Sequence, residues 1–198
     1  MMYDDNYIIL CGILSSTYNI NMLYDAVNAA NEGCLGGGGV DGAIGNAGGP
    51  QLLYDRQQLP ELSPGVRCKT GDAVITGPNN YGSLNVPFVI HAVGPNYLDY
   101  DEDDIEQMSL GDALLKSAYT TCLTCCGQTA NLESIAFCLL SAGIFRGSRS
   151  VKHVLQIGLE AIAQFDGYEG LKSVYVCGFT QKELSTLVTI ANEIGLVK

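Results

Sequence analysis

Short apolar runs alternate with stretches of helical periodicity along this chain, and that alternation limits its fold more than any other feature. Tyr7 to Cys11, Met22 to Val27, Ala73 to Thr76, Pro87 to Val93, Ser134 to Leu140 and Leu171 to Gly178 read as strands. Runs that are apolar throughout suit strands buried on both faces. Between them the pattern predicts a small-residue helix over about 40–47, closed by Gly48-Gly49-Pro50. A second helical stretch runs from Gln51 to Leu59, ended before Pro60. Longer helices are expected from Ser109 to Cys126, with Ser109 as N-cap, from about Ser150 to Phe165, and from Gln181 to Ile194. Strands and helices in this order imply an α/β fold, a largely parallel sheet covered on both faces. No internal repeat and no linker divides the 198 residues, so one domain over 1–198 is expected.

Composition narrows the function. Hydrophobic residues make up 47% of the chain, which excludes a disordered reading. With 10 basic against 21 acidic side chains the net charge is −11, unsuited to gripping nucleic acid through cationic side chains. Phosphorylated small ligands remain open, because backbone N–H groups bind phosphate without Lys or Arg. No apolar run approaches the ~20 residues that span a bilayer, and Met1-Met2-Tyr3-Asp4-Asp5 lacks the basic flank of a targeting peptide. No membrane partner is expected, and the chain reads as a monomer of the cytoplasm, with the nucleus also compatible. Of the eight cysteines, Cys11, Cys138 and Cys177 fall in strand-like runs and are expected to be free, reduced and buried. Cys122, Cys125 and Cys126 include a C-x2-C spacing, but with no second pair and two histidines in all they read as packing residues, not a zinc site. No metal and no cofactor is expected. His91, in an apolar run, reads as a core histidine, and His153 as exposed; the acidic residues from Asp99 to Glu106 read as a solvated loop.

The most informative segment is Asn28-Ala29-Ala30-Asn31 followed by Gly36-Gly37-Gly38-Gly39-Val40-Asp41-Gly42. It lies between a strand and a helix, where open α/β sheets bind ligands. Four glycines in succession leave the backbone bare, so a ligand can approach closely, and the N–H groups of the following helix start favour an anion. Neither a Walker loop, which needs a Lys, nor a dinucleotide fingerprint fits. A second loop of small residues, Ser141-Ala142-Gly143-Ile144-Phe145-Arg146-Gly147, follows a buried strand and precedes a helix. The two loops could hold the two phosphates of a diphosphate, with Phe145 as a roof. Asp41, ten residues after Asn31 across the turn, could orient or deprotonate water; its bland alternative is an acid placed to favour a helix dipole.

Together these motifs resemble the macrodomain family. The resemblance rests on Asn28 to Asn31 with Gly36 to Ile44, on Thr70-Gly71-Asp72-Ala73-Val74-Ile75-Thr76, on Val89-Ile90-His91-Ala92-Val93-Gly94-Pro95, and on Ser134 to Gly147. The Gly-Val-Asp-Gly form is similar to the MacroD-like branch, which hydrolyses ADP-ribose esters. The resemblance implies a three-layer α/β/α sandwich with a mixed central sheet and an ADP-ribose cleft across the strand ends. It implies Asn31 at the distal ribose and Asp41 as the acid of hydrolysis. The backbone of Gly37, Gly38, Gly39 and Val40 would meet one phosphate, and that of Ser141, Ala142, Gly143, Ile144 and Phe145 the other. Phe179 would stack on adenine, and Asn28 and Ile13 complete the expected ligand-binding set. The partners implied are ADP-ribose and ADP-ribosylated proteins, the substrates being esters on acidic side chains and O-acetyl-ADP-ribose. A non-catalytic ADP-ribose reader is the alternative. The chain departs from the family at four places: Cys11-Gly12-Ile13-Leu14 lacks the usual Asp after the first strand, Gly45-Asn46 stands where His-Arg is common, Arg146 follows the loop aromatic where Gly is frequent, and the acidic stretch 99–106 reads as an insertion.

Overall fold

Parallel strand pairing decides where the loops of interest end up. The computed structural model describes residues 8–12, 25–129 and 132–196. In chain order its elements are β1 (Ile8–Gly12), β2 (Asp25–Ala29), α1 (Gly39–Gln58), β3 (Ala73–Thr76), β4 (Val89–Ala92), α2 (Ile105–Thr129), β5 (Ser134–Phe137), α3 (Val151–Ala163), β6 (Ser173–Gly178) and α4 (Gln181–Glu193). The strands form one sheet in the order β1-β6-β5-β2-β4-β3. All neighbours are parallel except β3, which runs antiparallel to β4. The sheet is therefore mixed, and the carboxyl ends of β1, β6, β5, β2 and β4 share one edge.

Side-chain alternation puts helices on both faces, as the three-layer expectation requires. Along β4, Ile90 and Ala92 enter the main core with Leu115 and Leu123 of α2, Val154 and Leu155 of α3, and Leu187 of α4. Val89 faces the other way, onto Leu52 of α1 and Tyr81. The helix read as two pieces is α1, broken at Gly49, whose φ of 64° and ψ of −159° are non-helical, just before Pro50. A left-handed φ at that point is why a glycine stands there.

Three expectations need correction. α2 begins at Ile105, not Ser109, because Asp104 caps it: its Oδ1 accepts from the backbone N–H groups of Glu106 (2.9 Å) and Gln107 (3.1 Å). These bonds hold its carboxyl below the usual carboxylate range, so the acidic stretch is part loop and part helix start. Cys11 and Cys177 are not free. They are register partners on neighbouring parallel strands, with Cα atoms 4.7 Å apart, and a disulfide joins them. The 166 residues between them hide this from a sequence reading, which does not specify strand register. β5 ends at Phe137 instead of Leu140, where the chain leaves the sheet for the second small-residue loop. Tyr7, the stretch from Met22 to Tyr24, and Ile13 lie outside the described residues.

Candidate functional site

β2 and β5 are adjacent, with Val27 opposite Phe137, so the two small-residue loops leave the sheet side by side. In the first, Gly36 (φ 125°) and Gly39 (φ 58°) have left-handed backbones that admit little but glycine. Gly38 is the N-cap of α1, and no side chain caps it. The first-turn N–H groups of a helix have no intrahelical partner, so at this start they face outward with the positive end of the helix dipole. A Cβ built at Gly38 would touch nothing within 4 Å.

Asn31 shapes this loop from inside. Its Oδ1 accepts from the N–H of Gly33 (3.1 Å), and its Nδ2 donates to the carbonyl of Gly36 (2.9 Å). Both polar ends of the amide thus fold the turn. Asp41, 3% exposed, approaches the same turn from the first turn of α1. A Cβ at Gly37 would stand 3.0 Å from Asp41 Oδ2 and 3.3 Å from Asn31 Nδ2. The structure therefore brings the two expected catalytic side chains to one point on the loop.

The two oxygens of Asp41 differ. Oδ1 accepts from Asn28 Nδ2 (2.8 Å) and Arg56 Nη2 (2.7 Å). Oδ2 is buried and has no hydrogen-bond partner. Asn28, expected as a ligand contact, is fully buried and turned to Asp41 and to His91 Nδ1 (3.1 Å). The other nitrogen of His91, Nε2, lies 3.0 Å from the Thr76 hydroxyl. Burial, helped by the charge of Arg56, pushes the His91 pKa down to about 3. The neutral ring thus accepts from Asn28 at Nδ1 and carries its proton on Nε2 toward Thr76. His91 is a core histidine as expected, but it is also the back wall of the Asp41 network.

In the second loop the bracing comes from hydroxyls and close backbone contact near the strand, and from a charged cluster at its far end. Ser141 has a left-handed φ of 51°, and its Oγ donates to the carbonyl of Pro95 (2.7 Å). Leu140 N–H donates to the Tyr119 hydroxyl (3.0 Å). Ser141 and Ala142 are buried; Gly143, Ile144 and Phe145 are exposed. A Cβ at Gly143 would touch nothing within 4 Å. The far end of the loop is fixed by Gly147, packed against the backbone of Tyr97 and Leu98. Asp112 on α2 braces this end. It accepts from Tyr97 Oη (2.7 Å), Arg149 Nη2 (2.8 Å) and His153 Nε2 (2.8 Å). Phe179 stands just past β6, 62% exposed, beside the Thr180–Glu183 capping box that starts α4.

The sequence holds no Lys or Arg from Asp25 to Asp55 or from Ser117 to Phe145, so Gly37 to Val40 and Ser141 to Phe145 offer amides; the next residue, Arg146, turns its Nη1 to the carbonyl of Arg149. Arg56 escaped the sequence reading. The available signal was its spacing: it follows the buried Leu52 by four residues, on the helix face turned inward. Among the described residues no group of three or more His, Cys, Asp or Glu side chains is placed to hold a metal ion.

Comparison with known proteins agrees with this architecture. A family model described as "Macro domain" matches residues 27–154. The O-acetyl-ADP-ribose deacetylase 1 of Pantoea vagans is 44% identical over 119 residues, which are 60% of this chain and 62% of that protein. The chain thus matches about three fifths of that relative's length. A macro domain-containing protein of Caldanaerobacter subterraneus is 36% identical over 79% of this chain and 81% of its own length. Among solved structures, a variant of the Oceanobacillus iheyensis macrodomain with ADPR superposes with a TM-score of 0.77 at 29% identity, covering 98% of this chain and 96% of that one. With the family model spanning well over half of its residues, and the sheet order and both loops in place, the chain belongs to the macro domain family.

Proposed function

We propose that this chain binds ADP-ribose across the carboxyl ends of β2, β5 and β6 and hydrolyses mono-ADP-ribosyl esters, on acidic protein side chains and in O-acetyl-ADP-ribose. The observation that carries the reading is the unpartnered, buried Oδ2 of Asp41, facing a bare glycine loop beside an uncapped helix start. The name of the Pantoea relative and the ADPR of the Oceanobacillus structure support it.

Each part has a physical role. The amides of Gly37, Gly38, Gly39 and Val40 hold one phosphate, and those of Ser141 to Phe145 the other. Amides fixed before the ligand arrives need no reorganisation to stabilise charge. Asp41 Oδ2 orients a water, or takes a proton from it, at the distal ribose, where a nearby phosphate oxygen can share the base role. Water adds across the ester, releasing a free carboxylic acid and ADP-ribose. Asn31 fixes the turn that presents the ribose, and Phe179 offers its exposed face to adenine.

The second reading, a reader that binds without turnover, has one observation in its favour: the Asn31 amide is spent on its own loop instead of facing outward. Release of ADP-ribose from a protein mono-ADP-ribosylated on acidic side chains, paired with calorimetric binding of ADP-ribose, separates the two. Product together with binding is expected. Binding with no product at high enzyme concentration makes the chain a reader, and neither result at any concentration overturns both readings.

A further inference from the structure

We propose that Arg56 is a positioning residue for hydrolysis, which holds Asp41 Oδ2 toward the substrate by gripping Oδ1 and the loop behind it; the inference rests on the hydrolase reading above. Asp41 and Arg56 are fifteen positions apart in one helical segment. A straight α-helix would separate their Cα atoms by about 22 Å. The break at Gly49 folds the second half back, so that Arg56 Nη2 reaches Asp41 Oδ1 at 2.7 Å. Gly45 helps, since a Cβ there would stand 3.8 Å from Arg56 Nη1 and a larger side chain would crowd the guanidinium.

Stability alone is a weak reason for such a pair. Arg56 is 1% exposed and Asp41 3%. Desolvating two charges offsets most of their attraction, and apolar residues of similar volume commonly hold a fold as well. The arrangement does something an apolar pair cannot. Arg56 and Asn28 both donate to the same carboxylate oxygen, which leaves the other oxygen free and opposes rotation about the Cβ–Cγ bond. Arg56 Nε also donates to the carbonyl of Cys34, a residue held at a left-handed φ of 55° within the glycine-rich turn. One planar guanidinium therefore sets the spacing between the acid and the loop that faces it. A Lys ammonium, a single point on a flexible stem, supplies charge without that fork.

The test measures ADP-ribose release from a mono-ADP-ribosylated protein, ADP-ribose affinity by calorimetry, and the melting transition, for the wild type, Arg56→Lys and Arg56→Met. Arg56→Lys keeps the charge and the fold, and is expected to lose about tenfold in kcat while its ADP-ribose Kd moves by less than about threefold. Arg56→Met, where it folds, should lose about a hundredfold in kcat, the scale of a misplaced reacting group. A third variant, Arg56→Ala, should lose as much kcat as Arg56→Met, and guanidinium ion added at millimolar concentration should restore part of it. A wild-type kcat in Arg56→Lys overturns the inference, as does a parallel loss of kcat and affinity that tracks the folded fraction. Failure of the wild type itself to release ADP-ribose overturns the hydrolase reading and this inference with it, an outcome distinguishable from the other two.

Discussion

The two small-residue loops offer the same thing, bare amides at adjacent strand ends, but they are held in different ways. Behind the β2–α1 loop stands a buried polar network of Asn28, Asp41, Arg56, His91 and Thr76. Behind the β5–α3 loop stand a serine hydroxyl on a carbonyl, a tyrosine hydroxyl on an amide and a glycine in close backbone contact, with the Asp112–Arg149 ion pair at its far end, both side chains about a quarter exposed. On the proposed function the β5–α3 loop only has to bind, and its ion pair stands at the far end, partly in water. On the same proposal the β2–α1 loop also presents a reactive carboxylate, and charges that set its direction are strongest where they are shielded from water.

The sharpest break of this contrast is Asp41→Asn. It should lower turnover by about a thousandfold, the range of a lost general base, while ADP-ribose still binds. It also leaves the Arg56 charge buried without its counter-ion, which costs about 3–5 kcal/mol in a denaturation midpoint analysis. Equal losses in turnover and affinity would make Asp41 a structural residue.

The first network contains a buried imidazole, which makes its stability depend on pH. His91 stays neutral in the folded protein down to about 3, whereas a free imidazole gains its proton near 6.5. Unfolding therefore takes up a proton below that pH, and stability falls as pH falls. Asp25 works against this. Burial pushes its pKa up to about 6, so between about 4 and 6 the folded state holds a proton that the unfolded state releases, and stability rises as pH falls. Between pH 7 and 4, Asp25→Asn should lose roughly 3 kcal/mol in urea titrations. The wild type should lose less, and a wild type that loses more contradicts the opposition.

Glycine substitutions separate holding from binding. Gly94→Ala places a Cβ 2.4 Å from Ser141 Oγ, which should cost about 1–3 kcal/mol and disturb the second loop. Gly38→Ala and Gly143→Ala meet no neighbour, so stability should stay within about 0.5 kcal/mol while ADP-ribose affinity drops. Smallest is Phe179→Ala, where an exposed ring leaves the fold untouched and affinity falls by about 1–2 kcal/mol.

Much of this was legible in the sequence, for reasons that differ by residue. Ala73 to Thr76 is a strand in the structure as in the pattern, because an isolated β-branched run between turn residues has few alternatives. The glycine turn was legible because successive glycines mark a backbone that takes left-handed φ, as Gly36 and Gly39 do, and Asp41 because it stands in the first turn of the helix that follows. The start of α2 was missed because Ile105, at 84% exposed, contributes nothing to the buried stripe that periodicity detects, and the signal lay in the Asp104 cap. Arg56 and the Cys11–Cys177 bridge were missed for a common reason. Each contact is made by tertiary geometry, a kink in one case and strand register in the other, which no local pattern encodes.

On the proposed function, backbone amides of both loops clasp the pyrophosphate. An amide-resolved NMR titration with ADP-ribose tests it directly. The N–H signals of Gly37, Gly38, Gly39 and Val40 should shift together with those of Ser141 to Phe145, at one affinity. Shifts confined to other parts of the chain, with these nine amides unmoved, would contradict it.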